Sequence, residues 1–177
     1  MKTLKNILSL ALFFSALQLS AQTDKATTAR IIEAQNYVFV ATTANPLNAS
    51  DINRIMSRMP GYTGGGSINL TGSNYDLTVT PDSLVSYLPY FGRSYDPKMG
   101  GLTDDNGIKF KSKKFKYKAT ARKKGGWSIT MDPKDIKDNY NLGLLVTESG
   151  YATLTVNSST QQSISFNGYL EELKPKK

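Results

Sequence analysis

Polar and apolar residues alternate singly along most of the chain between residues 37 and 170, and short turn-forming clusters interrupt the alternation. Leu77 and Val79 alternate with polar neighbours ahead of a Pro-Asp turn, and Ile129 and Met131 do so after a glycine pair. Successive side chains of a β-strand point to opposite faces, so the pattern predicts strands with one buried and one solvated face. About eight or nine such strands predict a mainly β fold, an antiparallel barrel-like or sandwich sheet.

Two segments have the apolar spacing of a helix instead. Asp24 to Gln35 opens with a capping residue and carries alanine and isoleucine at near-helical spacing, which predicts an N-terminal helix lying against the sheet. From Asn48 to Met59, apolar residues recur at i, i+3, i+4 and i+7. This second pattern indicates a short helix inserted after the first strand.

The beginning of the chain has the pattern of a secretory signal. Two lysines precede the apolar run Ile7–Leu17, and small residues lead to a cleavage site at Ala21. We predict a signal peptide over residues 1–21 and a single β-rich domain over residues 22–177, exported to the periplasm or the cell exterior. The apolar run is shorter than the roughly 20 residues of a membrane-spanning helix, and no later stretch is longer, so no transmembrane segment is expected in the mature chain.

Cysteine and histidine are both absent, which removes most of the common catalytic machinery. Disulfides, thiolate nucleophiles, Cys/His zinc sites, histidine-ligated haem and a Ser-His-Asp triad all require one of these residues. We therefore predict a non-enzymatic protein without cofactor or metal. An enzyme that works through paired carboxylates ranks third, behind two binding functions.

The chain is basic, with 22 Lys and Arg residues against 14 Asp and Glu residues. Removal of the signal peptide takes away two lysines and no acid, so the net charge falls from +8 to +6. An exported basic protein suits anionic envelope polymers or lipid head groups, and nucleic acid is not expected as a partner.

Nine basic residues and no acidic residue stand between Lys109 and Lys124, a stretch called here the basic segment. With the alternating residues after Gly125-Gly126 it predicts a long hairpin. The parity of its aromatic residues changes, because Phe110 is at an even position whereas Phe115 and Tyr117 are at odd positions. A β-bulge or break near Ser112-Lys113 would return all of them to one face.

Lysines on alternate positions of one strand project to the same side and add their fields. This arrangement makes an anion-binding face for an envelope polymer or membrane one of the two binding functions. The candidate residues are Lys114, Lys116, Lys118 and Arg122. The favoured alternative is a solvated strand whose like charges discourage edge-to-edge aggregation.

A second candidate site is an aromatic cluster on a segment broken by proline and glycine, called here the aromatic corner. Such a cluster is uncommon inside a strand and suggests either a ligand pocket or a plug at one end of the sheet. Binding of an unknown small molecule or envelope component here is the first predicted function. The candidate residues are Tyr87, Tyr90, Phe91, Arg93 and Tyr95, with Trp127 as a candidate neighbour.

The sequence of the aromatic corner also resembles that of a known family. Its string Leu88-Pro-Tyr-Phe-Gly-Arg-Ser-Tyr95 is accompanied by Tyr75-Asp-Leu-Thr-Val, Trp127-Ser-Ile and Gly150-Tyr-Ala-Thr-Leu-Thr-Val156. Over most of the mature chain, these strings resemble a family of small exported bacterial proteins known only as a domain of unknown function. The resemblance implies an envelope or secreted β-rich domain, and it implies no activity and no catalytic residue.

Overall fold

The N-terminal segment forms the predicted helix in a computed structural model that describes residues 24–47, 53, 57, 66–95 and 107–173. Helix α1 spans Lys25–Glu33, and the Asp24 carboxylate caps it by accepting a hydrogen bond from the Thr27 backbone N–H at 2.8 Å. The predicted signal peptide lies outside the described residues. The predicted inserted helix between Asn48 and Met59 also lies outside them, apart from residues 53 and 57.

Ten β-strands follow the helix in the described part of the chain, and all of their pairings are antiparallel. They are β1 (Tyr37–Pro46), β2 (Ile68–Asn69), β3 (Asp76–Thr80), β4 (Ser83–Leu88), β5 (Ile108–Ser112), β6 (Phe115–Ala121), β7 (Trp127–Pro133), β8 (Tyr140–Val146), β9 (Tyr151–Ser158) and β10 (Ile164–Glu172).

Nine of these strands form one hydrogen-bonded path in the order β5-β4-β3-β1-β10-β9-β8-β7-β6, and β2 pairs separately with β1. The two ends of the path, β5 and β6, are joined by only two residues, so the sheet curls back on itself. The result is a nearly closed antiparallel barrel with one short helix near its N-terminus. The predicted fold class is confirmed, and the proximity of the two edge strands decides for a barrel over a sandwich.

The two ends of this path, β5 and β6, are successive in the chain and separated by Lys113 and Lys114 alone. Strands on an antiparallel path reverse direction at each step, and eight steps separate β5 from β6, so the two run in the same direction. They are therefore two halves of one continuous, bent segment of the chain. The first half pairs with β4 and the second with β7.

This bend is the break that the aromatic parity predicts near Ser112-Lys113. The two intervening residues allow Phe110 and Phe115 both to pack against the core. The predicted long hairpin is correct only for its second half, because β5 pairs with β4 and not with the strand after Gly126.

Asp135, in the connection between β7 and β8, holds the bend together. Its carboxylate accepts hydrogen bonds from the Ser112 hydroxyl and from the backbone N–H groups of Lys113 at 2.9 Å and Lys114 at 3.2 Å. These bonds, that of Ser112 foremost, lower the pKa of Asp135 below its ordinary value. The end of β5 is thus bonded to the β7–β8 connection, and Phe110 of the same strand stacks on Tyr140, the first residue of β8, with ring centroids 5.3 Å apart.

Inward-facing side chains from the strands meet in one contiguous core that also receives Ile31 and Ile32 of α1. Gly168 permits the close approach of β10 to β1, because a Cβ there would lie 1.9 Å from the Val40 carbonyl oxygen. It stands opposite Ala41, beside a register shift in β1.

The antiparallel order places every connection at one of two ends of the barrel. The helix end carries α1, the β6–β7 and β8–β9 turns and the end of β10; the loop end carries the β4–β5, β7–β8 and β9–β10 connections. At the helix end, the Tyr117 hydroxyl donates a hydrogen bond to the Ile32 carbonyl at 3.2 Å. Within the described residues, no helix combines the length and apolarity needed to cross a membrane.

Candidate functional site

The aromatic corner follows β4 at the loop end and docks onto the β9–β10 connection. The Gln162 backbone N–H donates to the Arg93 carbonyl at 3.0 Å, and the Tyr95 backbone N–H donates to the Thr160 carbonyl at 2.8 Å. Ser94 and Gln161 form an isolated β-bridge between the same two segments. The corner is therefore attached to the barrel by its backbone.

Tyr90 strengthens this attachment with its side chain. Its hydroxyl lies 2.8 Å from the Arg93 carbonyl oxygen and 3.0 Å from the Gln162 carbonyl oxygen. Burial raises the pKa of Tyr90 above its ordinary value, so the hydroxyl stays protonated and can donate. A Cβ on Gly92 would lie 2.5 Å from that hydroxyl oxygen, which explains why the string has a glycine two residues after the tyrosine.

The other predicted members of the corner differ in burial and in position. Phe91 packs against the core, whereas Arg93 and Tyr95 are exposed, with Tyr95 68% accessible. Trp127 begins β7 at the helix end, where it pairs with Ala121 and Val146. Since Tyr90 is bonded at the loop end, the structure separates Trp127 from the corner.

Tyr87 belongs to a different surface, on the outside of the barrel. Its ring is 46% accessible and stacks on Tyr75, with centroids 5.8 Å apart and planes 25° apart. The Lys109 ammonium, on the neighbouring strand β5, lies 4.9 Å from the Tyr87 ring centroid. This is cation–π geometry, and it joins a residue of the aromatic corner to the basic segment.

Tyr75 was missed as a site residue because it alternates with Leu77 and Val79 and so seems to belong to the core. It lies just before β3, where the β-alternation has not begun. The two-residue turn after Thr80 could have indicated the position of Tyr75. This turn pairs Asp76 with Tyr87 and so brings the backbone of Tyr75, one residue earlier, close to that tyrosine.

The outward side chains of β5 and β6, the two residues of the bend and the Tyr75–Tyr87 pair form what we call the basic face. Both strands are edges of the sheet, and every lysine on them is exposed while their aromatic residues pack inward. Its lysines are Lys109, Lys111, Lys113, Lys114, Lys116 and Lys118.

Three lysines of the basic face have no ion-pair partner among the described residues. No described acidic side chain forms an ion pair with Lys114, Lys116 or Lys118; the ion pairs of the described residues join Lys25 to Glu148 and Arg30 to Glu172. Asp132 stands opposite Lys116 in the β6–β7 register, but its carboxylate accepts a hydrogen bond from the Asn141 side-chain amide.

Arg122, the fourth predicted anion-binding residue, lies apart from these lysines. It follows β6 in the turn at the helix end and lines a groove on the outer side of β8, β9 and β10. In the described ranges, no group of three acidic side chains is placed to hold a metal ion.

These observations define a small nearly closed β-barrel with a helix at one end, a docked aromatic segment at the other and a basic outer face. The sequence matches the family model described as a domain of unknown function (DUF4251) over residues 20–170, and the chain belongs to this family. The predicted membership in a family of unknown function is thereby confirmed, whereas export stays a prediction.

The fold has a solved counterpart. A crystal structure of a DUF4251 family protein from Bacteroides eggerthii is similar with a TM-score of 0.55 and 14% sequence identity, covering 84% of this chain and 87% of that chain. At this identity the similarity concerns the fold alone. No curated protein matches the sequence.

Proposed function

We propose that the protein is an exported, non-enzymatic binding module that holds an acidic polysaccharide of the cell envelope on its basic face. The observation that carries this proposal is the bend at Lys113-Lys114. The bend joins two sheet edges whose lysines are exposed on the outer side of the barrel, where Lys109 lies over the ring of Tyr87 in the stacked Tyr75–Tyr87 pair.

The charge arrangement suits a repeating anion. Lysines two residues apart on a strand are spaced by about 7 Å and point the same way, so their potentials add along the strand. Lys116 and Lys118 have this relation on β6, and Lys109 and Lys111 have it on β5. A linear polymer with regularly spaced carboxylates or sulfates can meet several of these ammonium groups at once.

Two features favour a polysaccharide over a lipid surface. Membrane-surface binding needs apolar side chains that enter the head-group region. Of the large hydrophobic residues exposed in the described part of the chain, only Tyr87 belongs to the basic face. A stacked tyrosine pair instead offers a flat apolar ring with a polar tip, which suits the face of a sugar ring.

The packing of the barrel interior favours a ligand-binding site on the outer surface. Inward side chains from both halves of the sheet form one contiguous core that includes the fully buried Tyr37, Phe39 and Phe166. Among the described contacts of the corner, Tyr90 is used in hydrogen bonding and Phe91 in packing against the core. We therefore place ligand binding on the outer surface.

The experiment is charge reversal of Lys114, Lys116 and Lys118 together, with binding to immobilised heparin measured at several salt concentrations. We expect at least tenfold weaker binding and a shallower salt dependence, because fewer counterions are released. Tyr87→Ala is expected to weaken binding severalfold with an unchanged salt dependence, since it removes stacking and no charge.

A matched control reverses Lys123, Lys124 and Lys137, which changes the net charge equally but lies outside the basic face. We expect this control to retain most of the heparin affinity. Equal losses in the two triple variants would show that net charge alone attracts the polymer, and unchanged binding in both would refute the proposal. Tighter binding to phosphatidylglycerol vesicles than to heparin would assign the face to a membrane.

A further inference from the structure

The groove beside Arg122 is a second candidate site, on the outer side of the barrel away from the basic face. It has a volume of about 370 Å³ and runs over the outward faces of β8, β9 and β10. Leu145, Thr153 and Asn167 form its floor as one cross-strand row, because Leu145 pairs with Thr153 and Thr153 pairs with Asn167. Arg122 and Tyr151 also line it.

The polar groups of this groove are mainly donors. The Thr153 hydroxyl donates to Asn167 Oδ1 at 3.1 Å, which occupies that carbonyl oxygen and leaves the Asn167 Nδ2 with no described acceptor. The Arg122 guanidinium has no described carboxylate or carbonyl partner either. A ligand that fits must therefore bring acceptors, and next to a guanidinium the best acceptor is an anion.

The charges around the groove also favour an anionic ligand. Arg122 is the charged residue among those that line the groove. Glu148, in the adjoining turn, is held by Lys25 through an ion pair of 2.7 Å. No described carboxylate forms an ion pair with the guanidinium, and its planar fork can bind a carboxylate by two parallel hydrogen bonds.

The groove also has an apolar part. Leu145 is 46% and Tyr151 49% accessible, and they are two of the five large hydrophobic residues most exposed in the described chain. Side chains of this kind gain free energy when a ligand covers them. The groove combines an anion-binding group at one side with an apolar surface beside it.

We infer that this groove binds a small ring-shaped carboxylate, with the carboxylate on Arg122, an acceptor oxygen on the Asn167 amide and the ring against Tyr151 and Leu145. The site is separate from the basic face, so it does not depend on the function proposed above.

The test is an NMR titration of the protein with three probes: glucuronate, glucose and acetate. Glucuronate has both the ring and the carboxylate, whereas glucose lacks the carboxylate and acetate lacks the ring. We expect glucuronate to shift the amide signals of residues 145–153 and 167 and to bind at least tenfold more tightly than either of the other probes. Binding of acetate as tight as that of glucuronate would overturn the inference.

Arg122→Gln is expected to weaken glucuronate binding by about tenfold, since one charge-assisted hydrogen-bond pair is lost. Lys137→Gln removes the same charge in the β7–β8 connection at the loop end, away from both the groove and the basic face, and should leave this affinity unchanged. Arg122→Lys keeps the charge but loses the planar fork, so an intermediate loss is expected. Equal effects of Arg122→Gln and Lys137→Gln would show unspecific attraction and refute the site.

A hyaluronan tetrasaccharide extends the same measurement to the end of a polymer. Tighter binding than that of glucuronate would assign the groove to a polymer end, and equal binding would assign it to a free acid. Heparin binding is measured separately on the basic face, so failure at one site is distinguishable from failure at the other.

Discussion

The two ends of the barrel are closed in different ways. At the helix end, Ile31 and Ile32 enter the core and are almost fully buried. At the loop end, the aromatic corner is held by hydrogen bonds to the backbone of the β9–β10 connection, in which Tyr90 takes a central part. One closure is apolar and the other is polar.

This difference teaches what each end can contribute to stability and function. Burial of apolar side chains contributes several kcal/mol, whereas a single hydrogen bond contributes about 1 kcal/mol net. We expect the helix end to be the stronger closure. The corner, which the sequence offers either as a ligand pocket or as a plug, is attached to the barrel through Tyr90, whereas Tyr87 and Tyr95 are exposed.

The largest effect is expected for Ile32→Ala at the helix end. Removal of a fully packed isoleucine leaves a cavity between α1 and the sheet, at a cost of about 2–5 kcal/mol in the free energy of unfolding. Urea denaturation measures it, and Glu33→Ala on the exposed side of the same helix should change stability by less than about 0.5 kcal/mol. Similar small losses in both variants would show that the helix does not close the barrel.

A smaller effect is expected for Gly92→Ala at the loop end. The new methyl group would lie 2.5 Å from the Tyr90 hydroxyl oxygen and 2.8 Å from its ring carbon Cζ, so Tyr90 must move and lose its bonds. We expect a loss of about 1–3 kcal/mol.

The control for this prediction is the same substitution in a Tyr90→Ala background. The three nearest atoms to the added methyl group all belong to Tyr90, so Gly92→Ala should then cost less than about 0.5 kcal/mol. If the two changes are additive, steric conflict with Tyr90 is not the reason for the glycine.

The smallest effect is expected for the ion pair of Arg30 with Glu172 at the helix end. The guanidinium contacts both carboxylate oxygens, at 3.0 and 2.8 Å, but both side chains are exposed and the pair is screened by salt. The hydrogen bonds from Arg30 lower the pKa of Glu172 below its ordinary value of 4.5. The stabilisation is therefore complete above pH 4.5 and is lost as the pH falls through the lowered pKa.

Unfolding of the wild type, Arg30→Gln and Glu172→Gln between neutral and acid pH measures this contribution. Both variants should be slightly less stable than the wild type at neutral pH and equal to it once Glu172 is protonated. A difference that persists in strong acid would mean that Arg30 stabilises the helix end by packing and not by charge.

The site shows where prediction from the sequence stops. The parity of Phe110 and Phe115 predicts the break between them, because alternation is a local property of a strand. It does not show that the two halves are the opposite edges of the sheet, since that depends on pairing with β4 and β7. The basic segment was therefore recognised, but its position next to Tyr75 and Tyr87 was not.

The aromatic corner shows the same limit of prediction from the sequence. Proline, glycine and clustered aromatic residues indicate a corner, but they fit a plug and a pocket equally well. The choice depends on Gln162, which is 72 residues away from Tyr90 in the chain. The sequence alone also could not exclude Trp127 from the corner. Which end of the barrel Trp127 occupies depends on the order of all the strands in the sheet.

The sequence alone determined the strands, their inward faces, the N-terminal helix and the bend, because each depends on the spacing of neighbouring residues. Tertiary structure decided which strands meet, which end the corner closes and which outer surface the lysines share with aromatic rings. These depend on contacts between residues distant in the chain, and short-range periodicity contains no information about them.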